Sequence, residues 1–146
     1  MKINKLENDS LIEDIAALEK ACFTEFPWTE SMIEAVVDSP FRHVFALSKN
    51  EKILGYAIMQ IISGEGEIER IGIDPSHRGQ SLGKYLLLNI LSEPDIETCF
   101  LEVSESNQAA RRLYDICGFE EIGRRYAYYH DGADAIMMKW KRITDE

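Results

Sequence analysis

The chain has 146 residues, 45% of them hydrophobic and 29% charged, which is the composition of one globular domain rather than of a disordered segment. Lys and Arg total 16 against 26 Asp and Glu, so the net charge at pH 7 is −10. A protein that binds nucleic acid by neutralising phosphates is expected to be basic, and the charge therefore argues against a direct nucleic-acid partner.

The sequence also lacks the signals of membrane, secreted and metal-binding proteins. No apolar run approaches the roughly 20 residues that span a bilayer, and the N-terminus leads into acidic residues instead of an apolar signal core. The cysteines, Cys22, Cys99 and Cys117, are widely spaced, which indicates buried thiols in a reducing compartment. The histidines are scattered, without the clustering of metal ligands. We expect a cytoplasmic protein with no membrane partner and no metal.

Two helices are predicted in the first forty residues, after a possible short strand at residues 3–7. Apolar residues near helical spacing predict the first helix from Glu13 to Cys22. Thr29 is the predicted N-cap of the second helix, because its hydroxyl can accept a hydrogen bond from a free backbone N–H. Ser39-Pro40 ends that helix.

The hydrophobic period then changes to that of strands. Segments 44–48 and 53–63 are rich in β-branched and apolar residues around a polar turn, which predicts a hairpin. Gly64-Glu65-Gly66 is the next predicted turn. Polar and apolar residues alternate over 67–73, the pattern of a strand with one solvated face.

The second half alternates helices and strands. Its predicted elements are a loop over 78–83, a helix over 81–92, a strand over 98–103, a helix beginning at Asn107 and an antiparallel pair over 119–129 and 133–141. The whole order is β-α-α-β-β-β-α-β-α-β-β, which predicts a single domain over residues 1–146 with an α/β fold: a mixed central sheet flanked by helices.

The strand over 67–73, the loop over 78–83 and the helix after it form a unit that can bind a phosphate. A helix N-terminus leaves about four backbone N–H groups without partners and carries about half a positive charge. Glycines in the loop allow close approach of a ligand. From the residues alone, this unit can be interpreted either as a phosphate site or as an ordinary structural turn.

Two other phosphate-binding motifs do not fit this loop. Gly79 and Gly83 are its only glycines, whereas a dinucleotide fingerprint needs three. A P-loop needs Ser or Thr after its lysine, but Lys84 is followed by Tyr85, and the first glycine of the motif is missing. A nucleoside triphosphate site is therefore disfavoured.

The loop resembles the pyrophosphate motif of the GCN5-related N-acetyltransferase (GNAT) superfamily, Arg/Gln-x-x-Gly-x-Gly/Ala. It reads Arg78-Gly79-Gln80-Ser81-Leu82-Gly83, with Ser81 where the family has its first glycine. Serine keeps the backbone N–H and suits a helix N-cap, but adopts a positive φ less readily than glycine. This departure bears on the affinity for acetyl-CoA.

A second motif of the superfamily, Asn-x-x-Ala-x-x-x-Tyr-x-x-x-Gly-Phe, matches at all five fixed positions. They are Asn107, Ala110, Tyr114, Gly118 and Phe119. Two motifs at the expected separation are more specific than either alone.

Within the superfamily the chain is most similar to the ribosomal-protein-alanine N-acetyltransferases of the RimI type. The segments that carry this similarity are Phe26-Pro27-Trp28-Thr29, Leu101-Glu102-Val103 and the last hairpin around Tyr128 and Tyr129. The hairpin departs from the family pattern at Ala127 and His130, which stand for Asn and Pro.

The resemblance implies transfer of an acetyl group from acetyl-CoA, without a metal, to the N-terminal alanine of a small-subunit ribosomal protein. It implies Glu102 as the general base and Tyr114 as the general acid that protonates the coenzyme thiolate. It also places Asn107 on the pantetheine arm. Each residue has an ordinary alternative: Glu102 could be a solvated strand carboxylate, Tyr114 a core tyrosine and Asn107 a plain helix N-cap. The oligomeric state is left open.

The resemblance also implies the binding residues. Those for the cofactor are Ile71, Gly72, Ile73, Arg78, Gly79, Gln80, Ser81, Leu82, Gly83, Lys84 and Asn107. Trp28, Tyr128 and Tyr129 would line a groove for the peptide, unless they are core aromatics. Arg111 and Arg112 could screen the cofactor phosphates, and Glu25, Glu30 and Glu105 could meet a basic peptide, or all of these could be surface charges.

Two alternative functions remain open on the sequence. One is acetylation of a lysine or a small amine by the same fold. The other is a non-catalytic acyl-CoA-binding module, which the serine at position 81 motivates and which Glu102 and Tyr114 oppose.

Overall fold

The structure is a computed structural model in which residues 1–143 are described. Within them, seven strands form one mixed sheet in the order β1-β2-β3-β4-β5-β7-β6. The strands are β1 Lys2–Lys5, β2 Arg42–Lys49, β3 Lys52–Ile62, β4 Glu65–Ile73, β5 Thr98–Ser104, β6 Glu120–Arg125 and β7 Ala135–Lys141. The α-helices are α1 Ile12–Cys22, α2 Glu30–Val37, α3 Leu82–Leu91 and α4 Gln108–Ile116. The predicted fold class and order of elements are confirmed.

Helices cover the two faces of the sheet and bury a separate apolar cluster on each. Helices α1 and α2 lie over β2 and β3, where Ile15, Ile33 and Tyr56 are fully buried. On the other face α3 and α4 pack against the sheet through residues such as Leu86 and Tyr114. Thr29 caps α2 as predicted, since its hydroxyl accepts a hydrogen bond from Met32 N at 3.2 Å.

The strands are antiparallel except at one junction. β4 and β5 are parallel, and their register pairs residues 65–67 with residues 98–100. Both strands continue beyond these three pairs, β4 to Ile73 and β5 to Ser104. Because the continuing ends are not paired with each other, a gap opens between them in the middle of the sheet.

Two local predictions are wrong. Glu65 and Gly66 belong to β4, and the turn before it lies at Ser63 and Gly64, both with positive φ. The final pair is shorter than residues 119–129 and 133–141, because β6 ends at Arg125 and a loop follows. The Asp134 carboxylate accepts from Ala127 N, which holds the loop away from the strand ladder.

Within residues 1–143, no helix is both long and apolar enough to cross a membrane. The same residues contain no group of three or more His, Cys, Asp and Glu side chains arranged to hold a metal ion. Cys99 and Cys117 are buried, and Cys22 is half-buried.

Candidate active site

A cavity of about 830 Å³, called here the cofactor groove, lies beside β4 and the N-terminal ends of α3 and α4. It is lined by Cys22, Phe23, Ile71, Gly72, Ile73, His77, Arg78, Gly79, Ser81, Leu82, Gly83, Lys84, Asn107, Ala109, Ala110, Arg112, Leu113, Tyr114 and Ile116. These include every residue predicted to bind the cofactor except Gln80, which does not line the groove. The structure thus brings both sequence motifs to one cavity.

Ser81 occupies the N-cap position of α3 in the left-handed region, with φ 60° and ψ 22°. Its side chain makes no capping hydrogen bond, so the predicted capping role of the hydroxyl is wrong. A left-handed conformation costs a non-glycine residue roughly 1–2 kcal/mol, because Cβ approaches the following carbonyl. The geometry that the family achieves with glycine is therefore retained here at a steric cost.

Gly83 lies where α3 approaches α4. A Cβ at this position would lie 3.2 Å from Leu113 Cδ2, so an alanine here requires the Leu113 side chain to shift by a few tenths of an ångström. Gly79 is different, because a Cβ there meets nothing within 4 Å and the requirement is its φ of +82°.

Asn107 forms the N-cap of α4, with its Oδ1 accepting a hydrogen bond from Ala110 N at 3.2 Å. The capping alternative is therefore realised. The residue also lines the cofactor groove, so capping and ligand contact are compatible.

Tyr114 lies on the buried face of α4 and is 6% exposed. Its ring contacts Phe119 edge to face, with centroids 5.8 Å apart. Burial raises the pKa of the phenol well above its usual value of 10, so the hydroxyl stays protonated through the neutral range.

A second cavity of about 350 Å³, called here the acceptor cavity, adjoins the cofactor groove. Its lining is Phe23, Ile68, Glu69, Arg70, Ile71, Leu101, Glu102, Val103, Ser104, Asn107, Ala110, Tyr114 and Tyr129. Five of these also line the groove: Phe23, Ile71, Asn107, Ala110 and Tyr114. Tyr114 therefore lies where the two cavities meet, and Glu102 lines the acceptor cavity together with it.

Glu102 lies on β5, opposite Met137 of β7, and its side chain is 32% exposed. Its Oε1 accepts a hydrogen bond from Arg125 Nε at 2.8 Å. It also borders an open groove on the sheet surface together with Phe100 and Ile122. The carboxylate can therefore be reached by a molecule from solvent.

The predicted peptide-binding aromatics are not gathered in one place. Tyr129 lines the acceptor cavity, and burial followed by the nearby Glu102 carboxylate raises the pKa of its phenol. Tyr128 is exposed and packs edge-on against Tyr129 at 5.3 Å. Trp28 lies beside α1, under the Arg42 guanidinium, and does not line the cavity. Phe23, which the sequence did not single out, lines both cavities instead.

The candidate charged residues also separate. Arg78, Lys84 and Arg112 line the cofactor groove. Arg111 donates to Glu105 O at 3.1 Å and does not line the groove. Glu105 itself pairs with Arg124, whereas Glu25 and Glu30 are exposed and line neither cavity. The four candidates Arg111, Glu25, Glu30 and Glu105 thus have structural or surface positions.

A buried carboxylate next to the acceptor cavity was missed by the sequence reasoning. Glu19 of α1 is fully buried and accepts hydrogen bonds from Tyr56 Oη, from Trp28 N at 2.6 Å, and from Arg70 Nε and Nη2 at 2.9 and 3.0 Å. Burial raises its pKa, but these donors outweigh burial and hold the pKa below its usual value. The available signal was its position four residues after Ile15, on the apolar face of α1.

The acetyltransferase (GNAT) family matches residues 12–119 of the chain. The chain belongs to this family. The ribosomal protein bS18-alanine N-acetyltransferase of Escherichia coli (strain K12) is 36% identical over an alignment of 119 residues, which covers 77% of this chain and 80% of the relative. The N-alpha-acetyltransferase RimI of Mycobacterium tuberculosis is 32% identical over an alignment of 130 residues, which covers 85% of this chain and 82% of the relative.

A solved structure shows the same architecture. The crystal structure of the ribosomal-protein-S18-alanine N-acetyltransferase from Escherichia coli matches with a TM-score of 0.89 at 31% identity, over 99% of this chain and 96% of that one. The predicted GNAT family and the closer similarity to the RimI type are confirmed. The chain is an acetyl-CoA-dependent N-acetyltransferase.

Proposed function

We propose that this acetyltransferase modifies the N-terminal α-amine of a protein, with the N-terminal alanine of a small-subunit ribosomal protein as its acceptor. The names of the relatives support this acceptor. The observation that carries the chemistry is the placement of Glu102 and Tyr114 around one continuous space, formed where the acceptor cavity joins the cofactor groove.

The cofactor groove fits the pyrophosphate and pantetheine of acetyl-CoA. The first turn of α3 has no side-chain cap, so its backbone N–H groups are available to an anion. Arg78, Lys84 and Arg112 add positive charge along the same groove. A polyanionic ligand is thereby accommodated locally in a protein whose net charge is −10.

In the proposed reaction, Glu102 accepts a proton from the ammonium of the acceptor, directly or through a water molecule. The neutral nitrogen attacks the thioester carbonyl carbon, a C–N bond forms, and the C–S bond breaks. Tyr114 gives its proton to the departing sulfur, for which its raised pKa keeps it protonated until that step. As the amide forms, its nitrogen loses the second ammonium proton, which restores the Tyr114 phenol, and Glu102 releases the first proton to solvent. The products are the acetylated amine, the free coenzyme thiol and one proton.

The pKa of the acceptor amine favours an α-amine over a lysine for a single carboxylate base. An α-amine has a pKa near 7.7–8.0 and a lysine one near 10.4, and the gap corresponds to about 3.5 kcal/mol of deprotonation free energy. Acetylation of a lysine or of a similarly basic small amine therefore requires the acceptor cavity to supply more of the deprotonation free energy.

The test is turnover with acetyl-CoA over a panel of peptides that differ in their first residue, with free lysine and polyamines as competing acceptors. We expect the highest kcat/KM for a peptide that begins with alanine. Preference for a lysine side chain or a polyamine would contradict the proposal, and acetyl-CoA binding without turnover would favour a non-catalytic module. Mass spectrometry of the ribosomal protein from cells lacking the gene supplies the second test, because full acetylation there would also contradict it.

A further inference from the structure

We propose that Arg70 is a positioning residue for the acceptor: with Glu19, it fixes the loop of residues 23–29, between α1 and α2, as a wall of the acceptor cavity. The inference rests on the proposed function, since it concerns how the same site receives a peptide. It starts from the side chain of Arg70, which lines the acceptor cavity and is 21% exposed.

The buried Glu19 carboxylate anchors the Arg70 side chain. Glu19 is the only charged residue that is fully buried among the described residues, and its oxygens receive four hydrogen bonds. Arg70 supplies two of these in a fork, and Tyr56 of β3 supplies another. The anchor therefore joins α1 to the middle strands of the sheet, directly behind the cavity.

Arg70 and Glu19 also bind the loop of residues 23–29. The Arg70 guanidinium lies over the Phe23 ring, 3.8 Å from its centroid, and Nη2 also donates to Phe26 O at 3.2 Å. At the end of the loop, Trp28 N donates to Glu19. The loop is therefore held at its start, middle and end by one ion pair, and Phe23 is the part of it that lines the cavity.

The same loop contacts a second loop on the acceptor side of the molecule. Phe26 has φ 53°, is 77% exposed and contacts the His130 ring at 5.3 Å between centroids. His130 belongs to the loop between β6 and β7 that also carries Tyr129, another residue of the acceptor cavity. The two loops thus meet across the acceptor side, and the position of one sets the opening that a peptide must enter.

Arg70→Lys tests the inference, because a lysine keeps the charge for Glu19 but cannot fork to two oxygens, bind Phe26 O and stack on Phe23 together. Arg142→Lys is the matched control. Arg142 is another half-buried arginine, which donates to the carbonyls of Leu91, Glu93 and Ile96 far from both cavities. We expect Arg70→Lys to raise KM for an alanine-starting peptide about tenfold, while kcat and KM for acetyl-CoA stay within about twofold.

A structural readout separates this inference from the proposed function. Hydrogen exchange of the Trp28 amide should speed up about tenfold in Arg70→Lys, with the amides of α4 unchanged, whichever amine is the acceptor. Should Arg70→Lys fold poorly, the neutral pair Glu19→Gln with Arg70→Gln replaces it, with the same expected results. An unchanged peptide KM, an equal rise in both KM values, or unchanged exchange at Trp28 would overturn the inference. Absence of turnover on peptides by the wild type would instead contradict the proposed function.

Discussion

The cofactor groove and the acceptor cavity share Tyr114 but are built differently. The groove is lined largely by one stretch of the chain, residues 71–84, which contributes three glycines, together with α4. The acceptor cavity is lined by side chains from five separate segments, of which Phe23 and Tyr129 lie more than a hundred positions apart. A cofactor shared by a whole family can be bound by a local motif, whereas the acceptor site depends on how distant segments pack.

Loss of the base should disable the acceptor side while leaving the cofactor groove intact. We expect Glu102→Gln to lower kcat by about 10²–10⁴, because general base catalysis contributes on that order. The affinity for acetyl-CoA, measured by calorimetry, should change little. Glu120→Gln is the control, since Glu120 is an exposed carboxylate of β6 that lines neither of the two cavities nor the open groove beside Glu102. Near-wild-type kcat in Glu102→Gln would remove this residue from the mechanism.

Tyr114 is shared by both sides, so its replacement tests the junction itself. Tyr114→Phe keeps the contact with Phe119 and loses the proton, and we expect a fall in kcat of about 10²–10⁴ with modest change in cofactor affinity. Because burial raises the pKa of Tyr114, its ionisation should not reduce wild-type kcat below about pH 10. A pH profile of kcat checks this, with Tyr85→Phe, an exposed tyrosine of α3, as the control. An alkaline limb near pH 8 that disappears in Tyr114→Phe would contradict it.

The buried ion pair should matter for stability on the acceptor side. Glu19→Ala leaves Arg70 without its carboxylate, and we expect a loss of about 3–5 kcal/mol in the free energy of unfolding at pH 7. Glu13→Ala, on the exposed side of the same helix, should change it by less than about 0.5 kcal/mol.

The same variant has an expected pH dependence. The pKa of Glu19 is lower in the folded protein than in the unfolded chain, so its stabilisation is present above the unfolded value of 4.5 and is lost as the pH falls through the folded value. The difference in stability between wild type and Glu19→Ala, from urea unfolding, should therefore shrink in acid. A difference that is constant from pH 7 down to pH 3 would rule out this account.

The smallest effect is expected on the cofactor side. Ser81→Gly removes the Cβ from a left-handed residue and should raise the free energy of unfolding by about 0.5–1 kcal/mol. Ser92→Gly is the matched control at the other end of α3, where φ is −81° and glycine brings no relief. Urea unfolding of both variants measures the difference, and a loss of stability in Ser81→Gly would show that the serine is not strained. The KM for a peptide should be unchanged.

The sequence predicted the parts of the molecule that depend on neighbouring residues. The Thr29 cap and the order of the elements follow from short-range patterns, and the structure agrees. That both motifs meet at one groove was implied by the family resemblance, and the structure brings them together there. The left-handed φ of Ser81 was not predictable from its neighbours, because no local sequence pattern requires a residue other than glycine to adopt this conformation. Trp28 was predicted for the peptide groove but does not line the acceptor cavity, whereas Phe23, which no sequence pattern singled out, does line it. Periodicity alone cannot show which aromatic side chain faces a cavity.

The ion pair of Glu19 with Arg70 was still less predictable from the sequence. The two residues are 51 positions apart, so although Glu19 lies on the apolar face of α1, no local pattern identifies Arg70 as its partner. Their pairing follows from the packing of α1 on the sheet, which only the folded chain defines. The site that depends on such contacts is the acceptor cavity.

The short parallel junction between β4 and β5 has a practical consequence. Three residue pairs join the two halves of the sheet there, and the acceptor cavity has β4 on one side and β5 on the other. A molecule bound in that space contacts both halves of the native sheet and neither in the unfolded chain. By thermodynamic linkage it raises the free energy of unfolding, by about 2.7 kcal/mol at a concentration one hundred times its Kd. Melting temperature can therefore serve as an assay that ranks acceptor peptides before any acetyl group is transferred.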